Sequence, residues 1–290
     1  MRQSESLFFD VRRLRYHVRH WPGDSARRVV LLHGWMDVSA SFQFLVDAMS
    51  PDWDVYAPDW RGYGLTDWGR SDCYWFPDYL GDLDALLERI EADAAVDLVG
   101  HSLGGNVAML YAGARPARVA KLVNLEGFGM SATRPEQAPG RYARWLEELR
   151  VPPRLRGYKD FAALADRLQK NNSRLTRERA EFLARHWGRE AEGSVVLRGD
   201  PAHKIVNPIL YRYEEARAMW QAISAPVLWV DASESETLKR IGIGAEQYAE
   251  RRSAIASIRY VTVPDAGHML HHDQPEALAS LIEDFLVRRA

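Results

Sequence analysis

The sequence predicts an α/β protein with a mostly parallel central sheet flanked by helices. Short apolar runs that end in Gly or Asp alternate with stretches of helical periodicity, and the connections between them are short. Such runs are typical of strands buried on both faces, which occur in parallel sheets covered by helices. In addition, a serine between glycines, in "GHSLGG" at residues 100–105, joins one of these strands to a helix.

The elements follow in order along the chain. Residues 7–20 alternate in short stretches and predict two half-exposed, antiparallel opening strands. Further strands are predicted at 27–34, 53–59, 94–100, 119–127, 225–231 and 258–264. Helices are predicted at 39–49, 76–92, 103–116, near 236–252 and at 275–289.

Residues 130–218 interrupt this alternation. The segment is rich in Arg, Glu and Trp, with helical pieces at 137–149 and 176–187 and one candidate strand at 193–200. The sequence therefore predicts one α/β core, formed by residues 1–129 and 219–290. Residues 130–218 are expected to form a helical cap inserted before the penultimate strand.

Composition excludes several classes of protein. The 290 residues carry a formal net charge of −2, which gives no reason to expect nucleic acid or an anionic membrane surface as a partner. Cys73 is the only cysteine, so no intramolecular disulfide can form. The first residues lack the apolar segment of a signal peptide, and no run of about 18 apolar residues occurs. We expect a soluble cytoplasmic protein without a membrane span.

Ser102 lies at the centre of a Gly-x-Ser-x-Gly pattern between a predicted strand and a predicted helix. This is the sequence context of a nucleophile elbow, in which a strained turn projects the hydroxyl above the sheet. Gly100 and Gly104 remove side chains that would collide where the strand and helix pack. The N–H of Leu103, at the start of the helix, can face a developing negative charge.

A serine nucleophile needs a base within hydrogen-bond reach, and His268 is the candidate. It follows the last predicted strand, in a Gly-His loop before the final helix. We expect His271 and His272 to be cap or packing residues. No carboxylate or cysteine spacing accompanies these histidines, so no metal site is predicted. No glycine-rich phosphate loop follows the first parallel strand, and no nucleotide cofactor is expected.

An oxyanion hole requires a second N–H, and Trp35 is the candidate donor because it follows the strand at 27–34, with Gly34 allowing the turn. The acid has two sensible locations. Glu126 ends the strand at 119–127, where a buried carboxylate needs a partner. The later strand at 225–231 offers the alternatives Asp231, Glu234 and Glu236.

Four segments together resemble the α/β-hydrolase superfamily over nearly the whole chain: "HGW" at 33–35, "DWRGYGLTD" at 59–67, "GHSLGG" at 100–105 and "AGHMLHHDQPE" at 266–276. Within it, "HGWMD" at 33–37 and "NNS" at 171–173 resemble the serine hydrolase-like proteins most closely. The resemblance implies an α/β-hydrolase fold with a cap. Haloalkane dehalogenases and epoxide hydrolases are also similar, but their nucleophile is Asp, and Ser102 argues against both chemistries.

The chain departs from the superfamily at the acid. The commonest pattern ends the strand after the cap in Gly-Glu-x-Asp, and Ser235 occupies the position of that Asp. Relatives that carry the acid one strand earlier have Asp or Glu where this chain has Glu126. The departure favours Glu126, with Glu234 and Glu236 in reserve.

These residues predict a serine hydrolase that acts on a carboxylic ester or a related acyl compound. Carbon–carbon bond hydrolysis or acyl transfer by the same triad is an alternative, as is a non-catalytic protein that binds a small molecule. Aromatic residues of the cap and Trp60 and Tyr63 are candidates to approach a small apolar or acyl substrate, although the segment at 59–64 is expected chiefly to stabilise its own turn.

Overall fold

A computed structural model describes residues 1–288. It contains ten strands: β1 Glu5–Val11, β2 Leu14–Trp21, β3 Arg28–Leu32, β4 Asp54–Pro58, β5 Val96–His101, β6 Val119–Leu125, β7 Gly188–Ala191, β8 Ser194–Leu197, β9 Val227–Ala232 and β10 Ile258–Val263. Eight of them form one sheet in the order β1-β2-β4-β3-β5-β6-β9-β10. β2 pairs antiparallel with β1 and β4, and every other pair is parallel. The predicted mostly parallel sheet is confirmed.

Eleven helices are described: α1 Gln43–Ala48, α2 Phe76–Ile90, α3 Leu103–Ala114, α4 Ala138–Arg150, α5 Phe161–Asn171, α6 Arg177–Trp187, α7 Tyr213–Gln221, α8 Thr237–Arg240, α9 Ala245–Ser253, α10 Leu270–Asp273 and α11 Pro275–Val287. They cover both faces of the sheet. Along β3, Val30 and Leu32 pack in the core on one face, while Val29 and Leu31 pack in the core on the other. This two-sided burial explains why the strand is a continuous apolar run.

Between β6 and β9 the chain forms α4 to α7 and the β7–β8 hairpin. α5, α6 and β8 share a small apolar core of their own, which includes Leu164, Leu183 and Val195. α7 instead packs on α3 so closely that a Cβ at Gly113 would overlap the backbone of Met219. The predicted cap boundary at residue 218 falls within α7, and the division into core and cap stays a prediction.

The chain near 236–252 differs from the single helix predicted there. α8 and α9 are separate because Gly242, at φ +69°, adopts a left-handed conformation that ends the first helix. At the C-terminus, α11 ends at Val287, and residue 289, the predicted helix end, lies outside the described residues together with residue 290. Across residues 1–288, each helix is too short or too polar to cross a membrane.

Candidate active site

Ser102 occupies a strained corner between β5 and α3. Its backbone has φ +53° and ψ −112°, a conformation that residues with a Cβ rarely adopt. A Cβ at Gly100 would overlap the backbone of Gly104, and a Cβ at Gly104 would overlap the carbonyl of Leu32. The two glycines therefore permit the close strand–helix contact that the sequence predicts for this turn.

Three residues from separate strand ends meet at the carboxyl edge of the sheet. His268 Nε2 lies 3.0 Å from Ser102 Oγ, and His268 Nδ1 lies 3.0 Å from Glu126 Oε2. Ser102 follows β5, Glu126 follows β6 and His268 follows β10. Parallel strands bring these ends together, so His268 forms one hydrogen-bonded chain with residues 166 and 142 positions before it. Such a chain can pass a proton from a hydroxyl to an imidazole that a carboxylate orients.

The imidazole of His268 is positioned to act as a base. Burial lowers its pKa to about 4, so the ring is neutral near pH 7. A carboxylate only accepts hydrogen bonds, so the proton of the neutral ring belongs on Nδ1, which faces Glu126. Nε2 then presents its lone pair to the hydroxyl of Ser102.

Glu126 is held firmly although it is almost completely buried. Its Oε1 accepts a hydrogen bond from the N–H of Ala232 at 2.8 Å, and its Oε2 accepts one from the hydroxyl of Ser235. Burial raises the pKa of Glu126 to about 7, while these two hydrogen bonds act to lower it. The backbone of Glu126, at φ +55°, is also strained.

The other candidate acids have different partners. Asp231 is buried and accepts hydrogen bonds from Trp229, Tyr248 and Tyr260. Glu234 pairs with Arg174 at the surface, and the side chain of Glu236 is 83% exposed. Among residues 1–288, Glu126 alone of the four candidates contacts His268.

The two candidate oxyanion donors lie on either side of Ser102. Leu103 is the first residue of α3, so its N–H has no acceptor within the helix. The loop that carries Trp35 passes close to Ser102. A Cβ atom added at Gly34 would lie only 3.4 Å from Ser102 Cβ. Within residues 1–288, neither N–H donates to a backbone acceptor, and both stay candidate donors to an oxyanion.

A cavity of about 110 Å³ adjoins these two residues. It is lined by Trp35, Tyr74, Trp75, Phe76, Tyr79, Leu103, Met130 and His203. The polar ends of its walls are bound within the protein: the Tyr74 hydroxyl donates to Asp200 at 2.6 Å, and the Trp35 indole donates to the carbonyl of His203 at 3.3 Å. The cavity therefore presents mainly apolar surface and carries no charged side chain in its lining.

The sequence analysis did not identify His203. Its imidazole lies between Tyr63 and Tyr74, stacked on both with ring centroids 3.8 Å apart in each case. Burial lowers the pKa of His203 to about 3, which keeps this wall of the cavity uncharged. Tyr63 does not line the cavity and is linked to it only by stacking on His203.

Hydrogen bonds hold the segment that follows β4 in place near the candidate site. The carboxylate of Asp59 accepts hydrogen bonds from the backbone N–H groups of Ser39 at 2.6 Å and Leu65 at 2.9 Å. Trp60 is fully buried, and its backbone N–H donates a hydrogen bond to Nε2 of His33 at 2.9 Å. These contacts stabilise the turn, as the sequence predicts, and Trp60 does not line the cavity.

His271 and His272 are both buried, as expected for packing residues. Nε2 of His272 lies 2.6 Å from the hydroxyl oxygen of Ser41. His271 instead lies near Asp37 and His101, and neither of its ring nitrogens has a hydrogen-bond partner within residues 1–288. The sequence spacing of the histidines did not reveal this cluster, because its members come from three distant parts of the chain.

Comparison with known proteins agrees with this architecture. Residues 27–275 match the alpha/beta hydrolase fold family. A serine hydrolase-like protein from Danio rerio is 26% identical over 274 residues, which cover 92% of this chain and 83% of that protein. A 3-hydroxybutyrate-oligomer hydrolase from Cupriavidus necator is 28% identical over 284 residues, covering 93% of this chain and 91% of its own.

The fold also matches that of solved structures. The thioesterase domain from the curacin biosynthetic pathway superimposes with a TM-score of 0.87 at 22% identity, covering 97% of this chain and 99% of that domain. The chain belongs to the alpha/beta hydrolase fold family, as the match over most of its length shows. The predicted likeness to the serine hydrolase-like proteins is confirmed.

Proposed function

We propose that this protein is a serine hydrolase that cleaves a carboxylic ester or a related acyl compound. The observation that carries the proposal is the continuous contact from Ser102 Oγ through His268 to Glu126, with both steps at 3.0 Å. A hydroxyl, an imidazole and a carboxylate in this order are the parts of a nucleophilic triad. The hydrolase names of several relatives support the same class of reaction.

The first half of the reaction acylates the serine. Ser102 Oγ attacks the carbonyl carbon of the substrate and its proton passes to His268 Nε2. The oxyanion that forms accepts hydrogen bonds from the N–H groups of Trp35 and Leu103. The intermediate then collapses, the bond to the leaving group breaks, and His268 returns the proton to the departing alcohol.

The second half uses water in place of the alcohol. His268 takes a proton from a water molecule, which attacks the acyl-enzyme, and Ser102 leaves with that proton as the acid is released. Glu126 keeps the Nδ1 proton of His268 in position and stabilises the imidazolium that forms in both halves. No cofactor is required by this sequence of steps.

The cavity beside the two N–H groups favours a small apolar substituent. A volume of about 110 Å³ is smaller than the apolar cavity of about 150 Å³ that can hold a benzene molecule, so it suits a short acyl chain or part of a phenyl ring. A carboxylate or phosphate would find no cationic side chain in the lining. We therefore expect esters with a short or aromatic neutral group on one side of the carbonyl to react fastest.

Hydrolysis of p-nitrophenyl esters from acetate to palmitate, with Ser102→Ala alongside, tests the proposal. We expect turnover with an optimum at short chains and a loss in the variant on the order of a million-fold, or down to background. A fluorophosphonate probe should label Ser102 in the wild type. Labelling without ester turnover would redirect the proposal to acyl transfer or carbon–carbon hydrolysis. A folded protein that is neither labelled nor active would contradict it and favour a binding role.

A further inference from the structure

Three buried side chains with metal-binding chemistry meet behind the nucleophile elbow. Asp37 lies two residues after Trp35, His101 ends β5 and His271 lies in α10. None of the three is more than 2% exposed. One ligand atom from each lies within 4.8 Å of the other two, and Asp37 Oδ2 is 3.9 Å from His271 Nε2. We call this group the buried cluster.

The atoms that face one another in the buried cluster lack protein partners. Asp37 Oδ1 accepts the N–H of Val38 at 2.8 Å. The side chains of Ser41 and Trp187 also approach the carboxyl group, but no donor among residues 1–288 lies within hydrogen-bond geometry of Oδ2. His101 Nε2 lies 2.7 Å from the carbonyl oxygen of His268, so this nitrogen carries the proton and Nδ1 carries a free lone pair. His101 Nδ1 and both nitrogens of His271 are likewise unpartnered among the described residues.

Buried polar atoms almost always have a hydrogen-bond partner, so this convergence indicates a bound species. Asp37 Oδ2, His101 Nδ1 and one nitrogen of His271 all offer lone pairs. A single water molecule has two hydrogens and satisfies two of them, whereas one cation accepts all three. Two imidazole nitrogens and one carboxylate oxygen suit zinc and similar divalent transition metals, while calcium and magnesium prefer oxygen ligands alone.

We propose that Asp37, His101 and His271 bind one divalent transition-metal ion, with Zn²⁺ as the best match. Tetrahedral zinc ligands about 2.0–2.1 Å from the ion lie about 3.4 Å apart, so the three side chains must close by roughly 1 Å. Gly34 leaves room beside the cluster, because a Cβ there would lie 3.0 Å from His101 Nδ1.

Metal binding at the buried cluster does not depend on the proposed function. The ring centroids of His101 and His268 are 4.8 Å apart, and the two residues share the hydrogen bond from Nε2 of His101. The test must therefore separate binding at the buried cluster from binding at His268.

Zinc binding by the chelator-treated full-length protein tests the proposal. After equilibrium dialysis against Zn²⁺, bound zinc is measured by mass spectrometry, and the visible spectrum of the Co²⁺-loaded protein reports the geometry of its ligands. We expect about one ion per chain in the wild type and in His268→Ala, which removes the catalytic imidazole as a competing ligand. Asp37→Asn and His271→Asn should each bind at least about tenfold more weakly, with thermal unfolding of the metal-free variants checking that they fold.

The outcomes separate the two proposals. No zinc on a wild-type protein whose Ser102 reacts normally with the phosphonate would overturn the metal site, assign water to the cluster and leave the proposed function intact. Zinc that is lost in His268→Ala but kept in Asp37→Asn would place the ion on the catalytic histidine and also overturn it. Absence of hydrolysis and labelling in the metal-free protein would instead contradict the proposed function.

Discussion

The hydroxyl of Ser235 donates a hydrogen bond to Oε2 of Glu126, the same carboxylate oxygen that lies 3.0 Å from Nδ1 of His268. Ser235 stands where the commonest superfamily pattern carries its acid. In the triad we propose, the acid Glu126 directly follows β6, and the segment after β9 contributes a hydroxyl that stabilises the ionised carboxylate. Residue 235 thus contributes to the candidate site through a hydroxyl group in place of a carboxylate.

Loss of this hydroxyl should move the pH dependence of hydrolysis. Glu126 must be ionised for the triad to work, and its pKa is raised to about 7, so kcat/KM of the wild type should fall as the pH drops through about 7. The Ser235 hydrogen bond lowers this pKa, so Ser235→Ala should raise it and move the acid limb to higher pH by about one unit. A pH profile of kcat/KM measures the change. The exposed neighbour Ser233→Ala is the control, and an unmoved limb in Ser235→Ala would contradict the role of the hydroxyl.

Neutralising the acid should separate Glu126 from the candidates on the later strand. Glu126→Gln removes the acceptor that fixes the Nδ1 proton of His268 and should lower kcat by about 10³- to 10⁴-fold. Glu234→Gln and Glu236→Gln should change kcat less than about twofold, because both side chains are at the surface. Steady-state kinetics on a short-chain ester decide the ranking. A larger loss in either surface variant would assign the acid to the strand after the insertion.

Filling the cavity should change substrate selectivity without abolishing the chemistry. Met130 lines the cavity and is partly exposed, so Met130→Trp should occupy part of the space. We expect kcat/KM for butyrate and benzoate esters to fall roughly tenfold or more, while the acetate ester changes little. Leu146→Trp, on the exposed part of α4, is the matched control. Equal losses on all esters would show that the cavity does not receive the acyl group.

The strained backbone at Ser102 should be measurable as stability. Ser102→Gly relieves a conformation that costs of order 1–3 kcal/mol, and the greater chain entropy of unfolded glycine offsets about 0.5–1 kcal/mol of this. Ser102→Gly should therefore exceed Ser102→Ala in free energy of unfolding by about 1 kcal/mol in urea titrations. Ala143→Gly, in the exposed part of α4, should instead destabilise the protein by about 1 kcal/mol. A glycine variant at 102 that is less stable than the alanine variant would argue against stored strain.

Local patterns were enough to predict the parts of the site that adjoin strand ends. Ser102 is marked by its glycines, and Glu126 by a carboxylate directly after an apolar strand. Each signal lies within a few residues of a strand end, and a parallel sheet brings these strand ends together at one edge. The sheet was also predictable from local sequence, because strands buried on both faces are apolar throughout, as in β3.

Other features depend on tertiary contacts that local sequence does not encode. The stack of His203 on Tyr63 and Tyr74 joins segments far apart in the chain, and no spacing within either segment indicates it. Likewise, Asp37 and His101 approach His271 only when three connections fold over the sheet edge. The break between α8 and α9 is different, because Gly242 and Gly244 are a local signal for the end of a helix, and the left-handed conformation of Gly242 ends α8.

The stacked rings also bear on how substrate preference can change in this chain. His203 comes from the segment between β6 and β9, whereas Tyr63 and Tyr74 come from the segment between β4 and α2. One wall of the cavity is therefore shared between two stretches that a recombination event would separate. A chimera in which residues 130–218 come from another protein should lose the imidazole that stacks between Tyr63 and Tyr74. If the cavity receives the substrate, as we propose, transplanting that segment should transfer selectivity only when residues 63 and 74 are exchanged with it.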